Sequence, residues 1–185
     1  MARSPIRGGP PRSGIAASII GLLLLSLCDA WAQDSSVGTA IKATYLYKFP
    51  PYIEWPDDTL GKARQFTICI VGADPFGALL DRAVSGQQVE DRPIVIRRLA
   101  AFDAGAGCLI VFAAGPVHDI LAAAQGSPVL TVTDVGQDAR DKGMINFVIV
   151  DNRVRFEIDD RAAARAGFTI SSKLLSLALN IQPRN

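Results

Sequence analysis

The sequence has few of the side chains that carry most enzyme chemistry. Its 185 residues include one histidine, His118, and three cysteines, and the 19 basic and 18 acidic residues nearly cancel. A single histidine and scattered cysteines do not give the ligand spacing of a tetrahedral metal site. The sequence also lacks the lysine of a nucleotide-binding P-loop and the glycine-flanked serine of a nucleophile elbow. These absences favour a non-enzymatic protein that uses neither a metal nor a cofactor.

The N-terminus has the pattern of a secretory signal peptide. It begins with a segment that contains three arginines and no acidic residue, residues 15–27 are largely apolar, and Ala30-Trp31-Ala32 is a small-x-small cleavage site. An apolar run of this length is short for a membrane span, which needs about 20 residues. A retained membrane anchor is therefore the weaker alternative, and we predict that residues 1–32 are a cleaved signal peptide.

Cleavage after Ala32 would release the protein into the periplasm without a stable membrane anchor. A lipoprotein is another alternative because Cys28 lies near the place of a lipid-modified cysteine, but the bulky Leu27 occupies a position that is normally small. We expect residues 33–38 to be disordered and residues 39–181 to form a single domain. The mature chain is nearly neutral, because the signal contains three basic residues and one acidic residue. It therefore has no basic stripe for nucleic acid and no polybasic segment for a membrane surface.

Two cysteines, Cys69 and Cys108, remain in the mature chain. Both lie in or beside predicted core strands, and neighbouring strands bring Cα atoms within the distance that a disulfide tolerates. Because the predicted compartment is oxidising, we expect the two cysteines to form a disulfide. Two buried free thiols are the alternative.

Apolar strand patterns alternate with helix patterns along the mature chain. The segment Phe66–Gly72 is typical of a strand buried on both faces, and Asp74-Pro75 is typical of a helix start. Further strands are predicted at residues 93–99, 108–113, 129–134, 144–150 and 153–158, and helices at residues 116–124, 161–166 and 173–180. The last two strands form a hairpin because only Asp151-Asn152 separates them. The pattern predicts an α/β fold: a three-layer sandwich with a mostly parallel, mixed sheet, and a C-terminal β-hairpin followed by helices.

An early predicted helix carries many aromatic residues. Five fall within eleven residues: Tyr45, Tyr47, Phe49, Tyr52 and Trp55. One helical stripe on a sheet uses about three large rings over three turns, and the two prolines inside the segment end or kink the helix. We therefore predict that some of these rings bind a partner, or a second copy of the chain in a homodimer. Core packing of all five rings is the alternative.

A possible ligand crevice follows from the predicted sheet. Ligands of open α/β sheets bind beyond the carboxyl ends of the strands, where this chain places Asp74, Phe76, Gly115 and Asp134. Ordinary capping and loop roles for these residues are the alternative. A dinucleotide site is not expected, because the turn lacks the required second glycine and Asp74 would repel a pyrophosphate.

Several short segments carry a resemblance to a known family. They are the Tyr52 to Pro56 ending of the first helix, the strand Ile68 to Gly72 with Asp74 to Gly77 after it, the strand that Cys108 begins, residues 129–134, 143–147 and 154–158, and Ser171 to Leu175. In this order and spacing they resemble the bacterial periplasmic YfiR family over essentially the whole mature chain. The family often has a second cysteine pair near the hairpin, where this chain has Asn146 and Asn152. Redox control through a second disulfide is therefore not expected.

Members of the YfiR family are exported, non-enzymatic α/β proteins, and the well-known ones restrain an inner-membrane diguanylate cyclase from the periplasmic side. The resemblance implies a regulatory binding protein whose partner is the periplasmic domain of such a cyclase. It would lower cyclic-di-GMP signalling and biofilm formation. A periplasmic small-molecule binding or sensor protein without a cyclase partner is the alternative function.

Overall fold

The computed structural model describes residues 36–56, 59–61 and 63–184. The predicted signal peptide and its cleavage site lie outside the described residues. The chain divides into two units, Met1–Val37 and Gly38–Asn185, and the second is the α/β domain.

The first helix, α1, covers residues 36–48. Residues 36–38, which we expected to be disordered, are helical. The helix ends before a 3-10 turn at Pro50–Tyr52, because proline lacks the N–H that would continue the helical hydrogen bonds. Ala43 and Leu46 are fully buried on the side of α1 that packs against the sheet.

The remaining elements follow in chain order. They are β1 (Ile53–Glu54), β2 (Phe66–Gly72), α2 (Ala78–Val84), β3 (Gln88–Val89), β4 (Arg92–Leu99), a 3-10 turn (Ala104–Ala106), β5 (Ile110–Ala114), α3 (Val117–Ala124), β6 (Leu130–Thr133), β7 (Ile145–Val150), β8 (Arg153–Asp159), α4 (Asp160–Arg165), β9 (Thr169–Ile170), α5 (Ser172–Leu175) and β10 (Asn180–Gln182).

Within the described residues, eight strands form one mixed sheet in the order β10-β8-β7-β6-β5-β2-β4-β3. The five central strands β4, β2, β5, β6 and β7 run parallel. β8 is antiparallel to β7, as predicted for the hairpin, and β10 is parallel to β8. A separate two-stranded sheet pairs β1 with β9. The mixed α/β class predicted from the sequence is therefore the one observed.

Four short strands, the start of α2 and the end of the last helix differ from the prediction. β1, β3, β9 and β10 were not predicted, because two or three residues are too few to show an alternating pattern. The second helix begins at Ala78 rather than at the predicted start Asp74-Pro75. The last helix ends at Leu175 rather than Asn180, and the chain then turns to form β10. β10 lies at one edge of the sheet, where the side chain of Asn180 accepts a hydrogen bond from the Ile181 N–H and Pro183 has no N–H. Both features limit further strand pairing at this edge.

β2 lies at the centre of the core. Phe66, Ile68 and Ile70 belong to the larger apolar cluster, which also contains the buried faces of α1 and α2. Cys69 and Val71 belong to a smaller cluster on the opposite face, which α3 covers. All five side chains are 0% exposed. The prediction of a strand buried on both faces is confirmed.

The disulfide predicted from the sequence is present. Cys69 in β2 and Cys108, just before β5, are bonded, and their Cα atoms lie 5.7 Å apart. Both side chains are buried in the smaller cluster. Because β2 and β5 are neighbours, the bond joins β2 to the residues that lead into β5, in the middle of the sheet.

Replacing both cysteines, Cys69→Ala with Cys108→Ala, should lower the free energy of unfolding by about 2–5 kcal/mol. The reason is that the unfolded chain regains the conformational freedom that the bond removes. Urea unfolding measures the change, and the reduced wild-type protein should match the double variant. Two alkylatable thiols in the oxidised, purified protein would contradict the bond.

Candidate functional site

The parallel strands reverse their order between β2 and β5, which is the switch point where ligands bind in open α/β sheets. Here the ends of these two strands touch. The Ala73 N–H donates to the Ala114 carbonyl oxygen at 2.8 Å. A Cβ atom on Gly72 would lie only 2.7 Å from the carbonyl carbon of Ala114. The two backbones are thus in contact at the place where the predicted crevice would open.

Two of the four predicted crevice residues pack against the ends of these strands. The Phe76 side chain is 3% exposed, and its ring meets that of Phe112 edge-on with 4.8 Å between the centroids. A Cβ atom on Gly115 would lie 3.4 Å from the Cα of Gly72 and 3.6 Å from Ile120. Phe76 is therefore a core residue, and Gly115 allows a close approach of loops.

The two acidic crevice residues have cationic partners inside the domain. One Asp74 oxygen accepts a hydrogen bond from the Phe76 N–H at 2.7 Å, and the other accepts from Arg98 Nε at 2.7 Å. Asp134 pairs with Lys42 of α1 at 2.6 Å. These contacts agree with the alternative given in the sequence analysis, in which the two residues have capping and loop roles. A contact of either carboxylate with a ligand stays a prediction.

The Arg98 side chain bonds both to the turn before α2 and to Asp81 in α2. Besides Asp74, its guanidinium donates to Asp81 at 2.7 Å and to the carbonyl oxygen of Gly77 at 3.0 Å. The hydrogen bond from Arg98 lowers the pKa of Asp81, and the bonds to Asp81 and Asp74 raise the pKa of Arg98. Because both side chains are substantially exposed, the pair positions the turn more than it stabilises the fold.

The contact at the switch point can be tested by substitution. Gly72→Ala should lower the free energy of unfolding by more than about 2 kcal/mol, because Gly72 has φ +101° and its new Cβ would overlap the Ala114 backbone. Gly86→Ala is the matched control: Gly86 has φ +71°, but a Cβ atom added there would meet no atom within 4 Å. It should cost about 1 kcal/mol. Equal losses in urea unfolding would contradict a tight contact.

The predicted partner-binding aromatics do not share one surface. Phe49 is 1% exposed and stacks with Tyr45, their ring centroids 5.6 Å apart. Both rings also contact Phe147 of β7 and Phe156 of β8 at centroid distances of 5.3–6.0 Å. The prediction that Phe49 lies at a partner surface is wrong. The hairpin of β7 and β8 covers its ring. Tyr45 contributes mainly to the same cluster.

Trp55 is half-buried and packs between two rings of the core. Its indole meets Phe66 and Phe168 edge-on, at centroid distances of 5.4 and 5.7 Å. Its Nε1 is buried and has no hydrogen-bond acceptor among the residues that the structure describes. Trp55 therefore joins β2 to the segment after α4.

Tyr47 and Tyr52 are half-buried and face cations. Lys48 Nζ lies 4.9 Å from the centroid of the Tyr47 ring, and Lys173 Nζ lies 5.4 Å from that of Tyr52. Such contacts are weak at exposed sites, contributing about 0.5–1 kcal/mol. Both tyrosines also pack against the larger apolar cluster, and a contact with a partner stays a prediction for them.

A buried polar network around Asn146 lies near the hairpin. Asn146 Oδ1 accepts from Thr133 Oγ1 at 2.8 Å and from the Val135 N–H at 3.1 Å, and Asn146 Nδ2 donates to the Val135 carbonyl oxygen. Lys142 pairs with Glu157 of β8 at 2.9 Å. Hydrogen bonds and this ion pair thus hold the loop between β6 and β7 against the sheet without a second disulfide.

A cavity of about 470 Å³ lies away from the predicted crevice. It is bounded by α3 and α4, with Thr131 of β6 and Met144 also lining it. Sequence reasoning missed this site because its walls come from elements about 40 residues apart, and no local pattern links them.

The described residues contain no group of three His, Cys, Asp or Glu side chains placed to hold a metal ion. In the same part of the chain, no helix is long and apolar enough to cross a membrane.

The sequence matches the family model described as YfiR/HmsC-like over residues 39–179. The chain belongs to this family. A comparison with curated proteins gives no match. In this YfiR/HmsC-like chain the matched region runs from α1 to the residue before β10.

Proposed function

We propose that this protein is a periplasmic regulatory binding protein that restrains an inner-membrane diguanylate cyclase. In this role it keeps cyclic-di-GMP signalling and biofilm formation low, and it is not itself an enzyme. The observation that carries the proposal is the YfiR/HmsC-like match over residues 39–179, which includes nearly all of the α/β domain. The signal-peptide pattern supports it, because export would bring the chain to the periplasmic domain of such a cyclase.

The surface of the domain offers apolar area for a protein partner. Large apolar side chains in the second unit that are more than a third exposed are Ile41, Ile149, Leu177, Leu179 and Ile181. Ile149 is 61% exposed on β7, and Leu179 and Ile181 lie beside or within β10, which is the edge strand two places from β7 in the sheet. Exposed apolar and aromatic side chains are the residue types from which protein interfaces are built.

The proposal predicts different effects for two aromatic residues of one segment. Tyr47→Ala should fold normally and weaken repression of the cyclase, with an affinity loss of about 30-fold if Tyr47 is a binding hot spot. Trp55→Ala should instead lower the free energy of unfolding by about 2–4 kcal/mol, because its ring packs on Phe66 and Phe168. A cyclic-di-GMP reporter in cells that co-express the organism's membrane diguanylate cyclases measures repression, and thermal unfolding measures stability.

Thr44→Ala is the matched control, because Thr44 is an exposed residue of the same helix. It should leave repression unchanged. If Tyr47→Ala represses as well as the wild type, the aromatic segment is not the partner surface, and Ile149→Lys then tests the aliphatic one. If the wild-type protein restrains none of those cyclases, the proposed function itself is wrong.

A further inference from the structure

The cavity between α3 and α4 has a mainly apolar lining. Leu121 and Ala124 of α3, Ala162 of α4, Ala166 after it and Met144 before β7 all contribute to its walls. Its volume of about 470 Å³ lies within the range of about 300–1,000 Å³ that is usual for small-molecule sites. A small ligand therefore fits better here than a protein segment, which would need a longer groove.

The charges at this cavity are all of one sign. Lys142 and Arg165 line it, and none of the described lining residues is acidic. Lys142 is partly neutralised by Glu157, at 2.9 Å. Arg165 is exposed, and no carboxylate within the described ranges pairs with it. The guanidinium of Arg165 is therefore available to an anionic ligand, and such a charge-assisted hydrogen bond is among the stronger ones in proteins.

A buried hydroxyl group adds a second polar contact. Thr131 is 7% exposed and lines the cavity. Its Oγ1 accepts a hydrogen bond from the Met144 N–H at 3.1 Å, but no acceptor for the hydroxyl proton is found in the part of the chain that the structure describes. A buried donor without an acceptor is costly, so a ligand oxygen at this place would be favoured.

From these three observations we propose that the cavity binds a small amphipathic carboxylate. The carboxylate accepts hydrogen bonds from Arg165 and the Thr131 hydroxyl, and the aliphatic or aromatic body lies against Leu121 and Met144. This site is separate from the partner surfaces considered above, and the proposal does not depend on restraint of a cyclase.

The test uses two probes on the folded protein. The fluorescent anion 8-anilino-1-naphthalenesulfonate should bind saturably, and octanoate should displace it. Arg165→Gln should weaken the binding of both probes by about tenfold, which is the size expected for loss of one charge-assisted hydrogen bond. Octylammonium, which has the same chain and the opposite charge, should not displace the fluorescent probe.

Arg153→Gln is the matched control, because Arg153 is an exposed arginine of β8 outside the lining of the cavity. It should bind both probes as the wild type does, and thermal unfolding should show that both variants are folded. Thr131→Val, which keeps the shape of the side chain, should weaken octanoate binding. Equal affinities of Arg165→Gln and wild type, or equal displacement by octanoate and octylammonium, would overturn the proposal. No saturable binding of either anion to the wild type would overturn it as well.

Discussion

The burial of β2 on both faces is the constraint on which the rest of the structure depends. Its side chains alternate between the two apolar clusters, so apolar side chains from helices must cover this strand on each face. Full burial of one large aliphatic or aromatic side chain contributes about 1.5–3 kcal/mol, and β2 provides several of them. The disulfide reinforces the same place, since it ties β2 to the chain entering β5. A charged residue within this strand would have no solvent on either side.

The same central packing fills much of the usual ligand position of this strand order. The backbone of Gly72 meets that of Ala114, and the ring of Phe76 fills the space beside Phe112. The polar residues around it are used by internal ion pairs, such as Asp74 with Arg98. The exposed surface of the domain and the cavity between α3 and α4 are the other places where the described residues leave room for a partner or a ligand.

Much of the fold follows from local patterns in the sequence. Continuous apolar runs bounded by turn residues identify buried strands, and β2 and β5 can be recognised in this way without knowing their neighbours. The two residues between β7 and β8 require a hairpin, and helix starts are marked by residues such as Asp159, which caps α4 through the Ala162 N–H. Cys69 and Cys108 are expected to bond because both belong to predicted core strands. The strands, the hairpin and the helix starts depend on residues that are near in sequence. The disulfide joins distant residues, but each cysteine of the mature chain has only one other cysteine with which it can bond.

The candidate sites needed tertiary structure, because they depend on contacts between distant segments. Five aromatic residues near α1 have similar hydrophobicity, yet Phe49 is buried because Phe147 and Phe156 of the hairpin cover it, about 100 residues away in the chain. Asp134 meets Lys42 across 92 positions, and the α3–α4 cavity likewise has walls that no local pattern joins. The order of residues was thus enough to predict the main strands, most of the helix starts and the disulfide, whereas α2 begins at Ala78 and not at Asp74-Pro75. The export signal stays a prediction. Which rings and charges remain available for binding depends on the folded domain, since exposure is a property of the packed neighbours of a residue.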